Sequence, residues 1–442
     1  MKQATYWVVV AVLQAFCWAP PCAFAQAPAR PSRGVFEGAT ADPSTRETLS
    51  LSVSAAEAYD DNLQADAAGQ PGSPIFQTSG FFTSLAPAVT FESRGNHVQV
   101  SATAASNLRY YGDLHELVAL NHSVGAGVSA QLGRPTTLFV NQAISYAPAY
   151  LYGLFATNAV PAAGDVIPPA TDYALNNERS YAYATTAGLN HELTRRATLS
   201  FNSNIRYTDF VGSAPGFFDL HAYDAGGRLT YALNRDIRLR LGYVYRQAQY
   251  FQAREAIEHN LDIGLEYSRR LSRSRRTTMA LSIGPTVAKG SQNVALPPTA
   301  RQYRLVADAL LDHQIGQTWS AHGSFHRGFG YIEGLPNPVF TNAATLAAGG
   351  FFNRRTDLAA SAAYSAGDSS LSGTPSPFTT YTGDIRLRVA VTGRLATYVE
   401  YVYYYYDFNR NLLLPPGIPR GLTRNGVRAG LMLWVPLMMR RH

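Results

Sequence analysis

The residues best placed for chemistry are arginines and carboxylates spaced two apart. Arg238 and Arg240 lie in DIRLR at 236–240, and Arg386 and Arg388 in the same pentapeptide at 384–388. The same spacing puts Arg109, Arg206, Arg246, Arg270 and Arg304 on one parity with Glu192, Asp262, Glu266, Asp308, Asp312, Asp357, Asp384 and Glu400. Apposed guanidinium and carboxylate ladders along an aqueous passage set a transverse field that biases ion movement. The same side chains can instead pair across neighbouring strands and hold a wall together. Composition does not separate these roles, and they can coexist.

Other constellations are weaker. His322, Ser324 and His326 share a face of SAHGSFHRG and offer base and nucleophile types, but no third group to orient them is identifiable. No GxSxG, HExxH, phosphate-loop or dinucleotide pattern accompanies them. Asp60, Asp61 and Asn62 could offer oxygens to a calcium ion, although a solvated turn is the reading these residues favour. No metal or cofactor is assigned. The two cysteines, Cys17 and Cys22, both lie near the N-terminus, so the remainder of the chain has no thiolate for zinc, haem attachment or nucleophilic catalysis. The net charge of +7 is carried almost wholly by arginine, since Lys2 and Lys289 are the only lysines. No basic cluster interleaved with aromatics points to nucleic acid.

The elements that must carry these residues follow from three segments. Residues 1–25 combine Lys2, an apolar run from Tyr6 to Trp18 and Ala23-Phe24-Ala25, the pattern of a secretory signal peptide cut before Gln26. Residues 26–46 are rich in Pro and Ala and aperiodic, a periplasmic tether. From Glu47 to the C-terminus a period of two takes over. Ile237, Leu239, Leu241, Tyr243 and Tyr245 alternate with Arg238, Arg240, Gly242 and Arg246, and similar alternation runs through 197–210 and 260–271. Such alternation requires strands with one apolar and one polar face.

Short polar turns, as at Gly133-Arg134-Pro135, Asn234-Arg235 and Asn353-Arg354-Arg355, alternate with longer connections such as 151–177 and 333–342. The rhythm predicts an all-β fold: a transmembrane antiparallel up-and-down β-barrel with both chain ends on the short-turn, periplasmic side. The count is about eighteen strands, with sixteen the other even count it allows. In lipid a free strand edge cannot be hydrated, so NGVRAGLMLWVPL must pair with ETLSLSVSAAEAY and close the sheet. Inward folding of the 151–177 loop is one way to narrow the pore.

Tyrosine density supports the membrane setting. Tyr110, Tyr146, Tyr150, Tyr207, Tyr245, Tyr250, Tyr331, Tyr403 and Tyr405 fall where strands run into the long loops, as an aromatic girdle should. A thinner opposite girdle would use Tyr231, Tyr267, Trp319, Tyr398 and Trp434. Within Tyr403 to Tyr406 alternate rings must face opposite ways.

With Ala58-Tyr59-Asp60-Asp61-Asn62 closing the first strand, the mature chain resembles the type-2 outer-membrane β-barrel porins, related to barrels encoded near exopolysaccharide genes. The resemblance implies an outer-membrane channel, for polysaccharide export or for small polar solutes, and carries over no site residue. The partners it implies are outer-membrane lipid, the barrel assembly machinery and a periplasmic export component. The competing expectations are a docking barrel with a plugged lumen and, least supported, a barrel-embedded hydrolase.

Overall fold

The computed structural model describes residues 45–62, 79–112, 117–147, 179–211, 218–250, 254–272, 275–292, 301–316, 318–332, 335, 337–369, 377–412, 414 and 420–441. Residues 1–44, where the signal peptide and most of the tether are expected, lie outside them, as do Tyr150 and the 151–177 loop; Thr45 and Arg46, expected in the tether, instead open the first strand.

Eighteen strands run in chain order: β1 (Thr45–Asp60), β2 (Gly80–Arg94), β3 (Val98–Tyr111), β4 (Leu117–Gly133), β5 (Thr136–Ala147), β6 (Ser180–Glu192), β7 (Ala197–Phe210), β8 (Leu220–Ala232) and β9 (Ile237–Tyr250). They continue as β10 (Arg254–Ser272), β11 (Arg275–Gln292), β12 (Gln302–Ile315), β13 (Trp319–Gly330), β14 (Val339–Asn353), β15 (Thr356–Ser369), β16 (Pro377–Ala390), β17 (Leu395–Phe408) and β18 (Gly421–Arg441). Every strand pairs antiparallel with its chain neighbours, and β1 pairs with both β2 and β18. The sheet is therefore a closed barrel with no free edge. Both ends of the barrel chain meet on the short-turn side, where Thr45 lies opposite Arg441 and Glu47 opposite Ser93. The expected strand count, closure and up-and-down order are all present.

Register carries the alternation around the whole wall. Leu229, Leu241 and Ile263 line up on adjacent strands, and so do Arg228, Gly242 and Asp262. The first set is exposed, at 41%, 54% and 61%, and belongs to the outer surface. The second set points inward. A soluble barrel would bury its aliphatic side chains, whereas this one displays them on the outside and gathers charge within.

A narrow lumen with an apolar crossing and a charged cavity

Glycine makes the first part of the interior possible. Arg228 of β8 and Asp262 of β10 both lie opposite Gly242 of the strand between them. With no side chain at 242, the two charges approach across β9, Arg228 Nη2 to Asp262 Oδ2 at 3.6 Å. A Cβ there would collide with Asp262 Oδ1. Arg240 lies over Gly264, with Nε 3.0 Å from where a Cβ would stand, and donates to Asp262 Oδ2 at 2.9 Å. Four residues beyond Gly242 on the same face, Arg246 sits directly between Asp224 and Glu258, at 3.1 and 3.5 Å. Glu258 also accepts from Thr286 Oγ1 at 2.9 Å and from Tyr331 Oη at 3.1 Å. Two further pairs join β12 to β13: His326 Nδ1 with Asp308 Oδ1 and His322 Nδ1 with Asp312 Oδ1, each 2.6 Å.

A cavity of about 250 Å³ opens against this side of the barrel, lined by Arg228, Arg240, Asp262, Asp308 and His326 with Val306 beside them. The Asp308 and Asp312 side chains are 52% and 46% exposed, and Arg238 is exposed and makes no ion pair among the described residues. This wall is wet.

The opposite interior is dry. Arg388 is only 1% exposed and donates to both oxygens of Asp357, Nε to Oδ1 at 3.1 Å and Nη2 to Oδ2 at 2.8 Å. Arg386 is buried opposite Glu400, whose carboxylate lies 3.5 Å from Arg428 Nη1. Asp384 takes a short hydrogen bond from Ser361. Toward the short-turn end, Trp434, Met432, Phe351, Ala390 and Ala396 close together.

The mouth is crossed by the segment joining β13 to β14. Tyr331 accepts at its carbonyl from Arg206 Nη2 of β7, 2.6 Å away, and packs against the Leu220–Tyr250 cluster of β8 and β9. Its neighbours Ile332 and Leu335 are buried among Phe378, Tyr404, Tyr406, Phe408 and Leu422 of β16 to β18, and Phe210 of β7 packs against the same cluster. Strands β7 and β17 stand on nearly opposite sides of the wall, so the segment bridges it. Burial and the neighbouring Glu258 carboxylate raise the Tyr331 hydroxyl far above a free tyrosine, keeping it a neutral donor.

The inward parity of Arg206, Arg238, Arg240, Arg304, Arg386, Arg388, Asp262, Glu266, Asp308 and Asp384 is present throughout. The DIRLR repeats, however, do not form one cluster. They lie on β9 and β16, seven strands apart, and Arg388 is a buried wall tie rather than a free lumen charge. Arg304 stays exposed, donating to Gln302 Oε1 at 3.4 Å and lying over the Phe340 ring. Asp224, Arg228, Glu258, Arg424 and Arg428 are inward charges not among the sequence candidates, although the even-numbered alternation in LHAYDAGGRLTYA places Asp224 and Arg228.

Tyr110, Tyr146, Tyr207, Tyr245, Tyr403 and Tyr405 face outward. Ring contacts tie Tyr146 to Tyr181, Tyr207 to Tyr223 and Tyr381 to Tyr405. Tyr250 and Tyr331 need correction: both turn into the barrel, the first because its even position on β9 shares the face of Arg246 and Ala248. Tyr398 and Trp434 also point inward, for the same parity reason, whereas Trp319 stacks edge-on with Phe352 outside. Tyr404 and Tyr406 are inward and buried, as alternation requires.

The Asp60-Asp61-Asn62 turn is a seam. Asp60 takes a short charged hydrogen bond from Arg424 of β18, and Asp61 accepts from Asn425 N and Nδ2 at 2.7 and 2.6 Å. Its carboxylates are committed to protein donors, which replaces the calcium reading. His326 points Nε2 toward Gly328, and Ser324 bonds Thr345 Oγ1 at 2.6 Å. The His326–Asp308 pair is thus not aimed at that hydroxyl.

No protein-family model and no curated protein sequence matches the chain. Solved structures do. Pseudomonas aeruginosa OpdO aligns at 13% identity and a TM-score of 0.43, covering 89% of this chain and 98% of that one. Acinetobacter baumannii OccAB3 aligns at 11% and 0.45 over 88% and 99%, and P. aeruginosa OccK2 (OpdF), solved with glucuronate, at 10% and 0.44 over 89% and 98%. At these identities no site residue transfers between the chains.

Proposed function

We propose that this protein is an outer-membrane channel that passes small polar solutes along the wet wall of β7 to β13. The observation that carries the reading is the inside-out distribution of side chains: aliphatic residues on the outer surface, and a charged, water-exposed cavity within a closed barrel. Eighteen strands enclose enough space for an aqueous path. The crossing by Tyr331, Ile332 and Leu335 narrows that path to one side of the mouth, a geometry suited to compact solutes and poorly suited to a polysaccharide chain. Paired charges around the cavity offer donors and acceptors together with Val306 and Leu310 as apolar contacts, so a solute carrying several hydroxyl or charged groups exchanges hydration for wall contacts.

The apolar cluster at the mouth also supports a second reading, a barrel whose lumen is stoppered. One experiment separates the two. Purified protein in a planar bilayer is compared with the triple variant Tyr331→Ala, Ile332→Gly, Leu335→Gly. A channel shows discrete conductance in the native protein and a larger one in the variant. Conductance appearing only in the variant would favour the stopper. Silence in both, from correctly folded protein, would remove the channel reading altogether.

A further inference from the structure

The short-turn rim carries a repeated device that the channel reading does not use. In four turns a Thr or Asn side chain caps the next amides and an arginine stands beside the cap. Thr194 Oγ1 accepts from Arg196 N and Ala197 N at 3.2 and 3.0 Å, and Asn234 Oδ1 from Asp236 N and Ile237 N, both at 2.8 Å. Asn353 Oδ1 accepts from Arg355 N at 2.8 Å, and Thr392 Oγ1 from Arg394 N and Leu395 N at 3.2 and 3.0 Å. Side-chain-capped turns of this kind hold the local backbone in one shape. They present Arg195, Arg196, Arg235, Arg354, Arg355 and Arg394, all exposed and none in an ion pair among the described residues. Glu192 and Asp236 are the acids adjoining these turns.

Each capped turn is preceded by an apolar side chain on the outward parity: Leu193 (51% exposed), Leu233 (48%), Phe352 (61%) and Val391 (53%). These four mark where hydrocarbon ends. Arginines two or three residues further on stand at the depth of lipid phosphates, and a guanidinium binds phosphate through two parallel hydrogen bonds. We infer that this rim is a binding surface for anionic phospholipid headgroups of the leaflet on the short-turn side. The inference rests on the outer surface being lipid-facing, as proposed above, but not on the lumen being open. A soluble polyanion would also meet the arginines. It would gain nothing from the apolar residue that precedes every one of these turns.

Trp319 supplies the probe. It lies on the outer face near these turns, against Phe352, whereas Trp434 is buried inside and Trp7 and Trp18 belong to the N-terminal segment. The full-length mature barrel is reconstituted in phosphatidylcholine vesicles containing either brominated phosphatidylcholine or brominated phosphatidylglycerol, and quenching of Trp319 reports which lipid occupies the rim. Each basic side chain at an anionic surface favours contact by roughly fivefold, so the native protein should prefer phosphatidylglycerol by at least that factor. Changing the six arginines to glutamine should abolish the preference while leaving quenching by brominated phosphatidylcholine intact. Equal quenching by the two lipids in the native protein, or an unchanged preference in the variant, overturns the inference. Loss of the preference in inorganic phosphate, but not in sodium chloride of equal ionic strength, would assign the arginines to free anions instead. If brominated phosphatidylcholine fails to quench Trp319 at all, the lipid-facing surface itself is wrong, which is a separate failure.

Discussion

Arginine is abundant in this interior, but its side chains fall into two energetic classes. Arg388 and Asp357 are bound at two points and nearly inaccessible, so neutralising one leaves the other charged and unmatched in a dry site. Losing one partner of such a pair costs about 3–5 kcal/mol. The Asp308–His326 pair is closer still, at 2.6 Å, yet both side chains are more than 40% exposed. Exposed pairs contribute roughly 0–1 kcal/mol. Asp357→Asn should therefore lower the urea midpoint of the vesicle-reconstituted barrel strongly, while Asp308→Asn leaves it nearly unchanged. Equal shifts would mean that water reaches Arg388 as it reaches Asp308. The Asp60–Arg424 contact belongs with the first class, because Arg424 is 1% exposed and the contact spans the closing seam.

At the scale of a strand, the decisive quantity is which face a side chain occupies. β9 carries Leu239 and Leu241 outward, 42% and 54% exposed, and Arg238 and Arg240 inward. An arginine facing hydrocarbon near the middle of the bilayer costs about 2–4 kcal/mol, less toward the interface. Leu239→Arg should reduce the yield of heat-modifiable, folded barrel, and Arg238→Leu should not. Equal tolerance of the two changes would contradict the assignment of faces. Polar groups on the outer face obey the same physics by pairing across strands: Ser106 with His122 at 2.8 Å, Tyr243 with His259 at 2.7 Å and Thr185 with Gln142 at 2.7 Å. Each pair satisfies a donor or acceptor that lipid could not.

For the whole molecule, the consequence is an asymmetric lumen. One side is filled from Trp434 through Arg388 to Tyr404 and Tyr406, and the other keeps Arg238, Asp308 and Asp312 wet. Charges with close partners contribute little net field, so selectivity should follow the few exposed ones. Arg238→Gln alone should move the reversal potential under a salt gradient toward cation preference without destabilising the barrel. Removing Arg240 or Arg388 is a poorer probe, since Asp262 or Asp357 would be stranded. A reversal potential unaffected by Arg238→Gln would place the conducting path away from β9.

The barrel was legible in the sequence because its governing rule is local. Each residue's face depends only on strand parity, and turn residues such as Asn234-Arg235 announce where parity restarts. That is why the strand count, the closure of β18 on β1 and the face on which Arg238, Arg240, Arg386 and Arg388 lie could be read before any coordinate. Parity also corrects Tyr250 once its strand is fixed, because a girdle residue must be outward as well as near a rim. What parity cannot supply is the identity of the neighbour across the lumen. Arg240 and Arg388 occupy equivalent places in the same DIRLR pentapeptide, yet one lines the open cavity and the other is sealed. The difference comes from groups distant in sequence: Asp357 on the adjoining strand, the Met432 sulfur 3.5 Å from Arg388 Nη1, and a segment from β13–β14 that lies over the β16–β18 wall. Direction is set by the backbone's own period. Hydration of the interior is set by which distant side chains the closed barrel brings together.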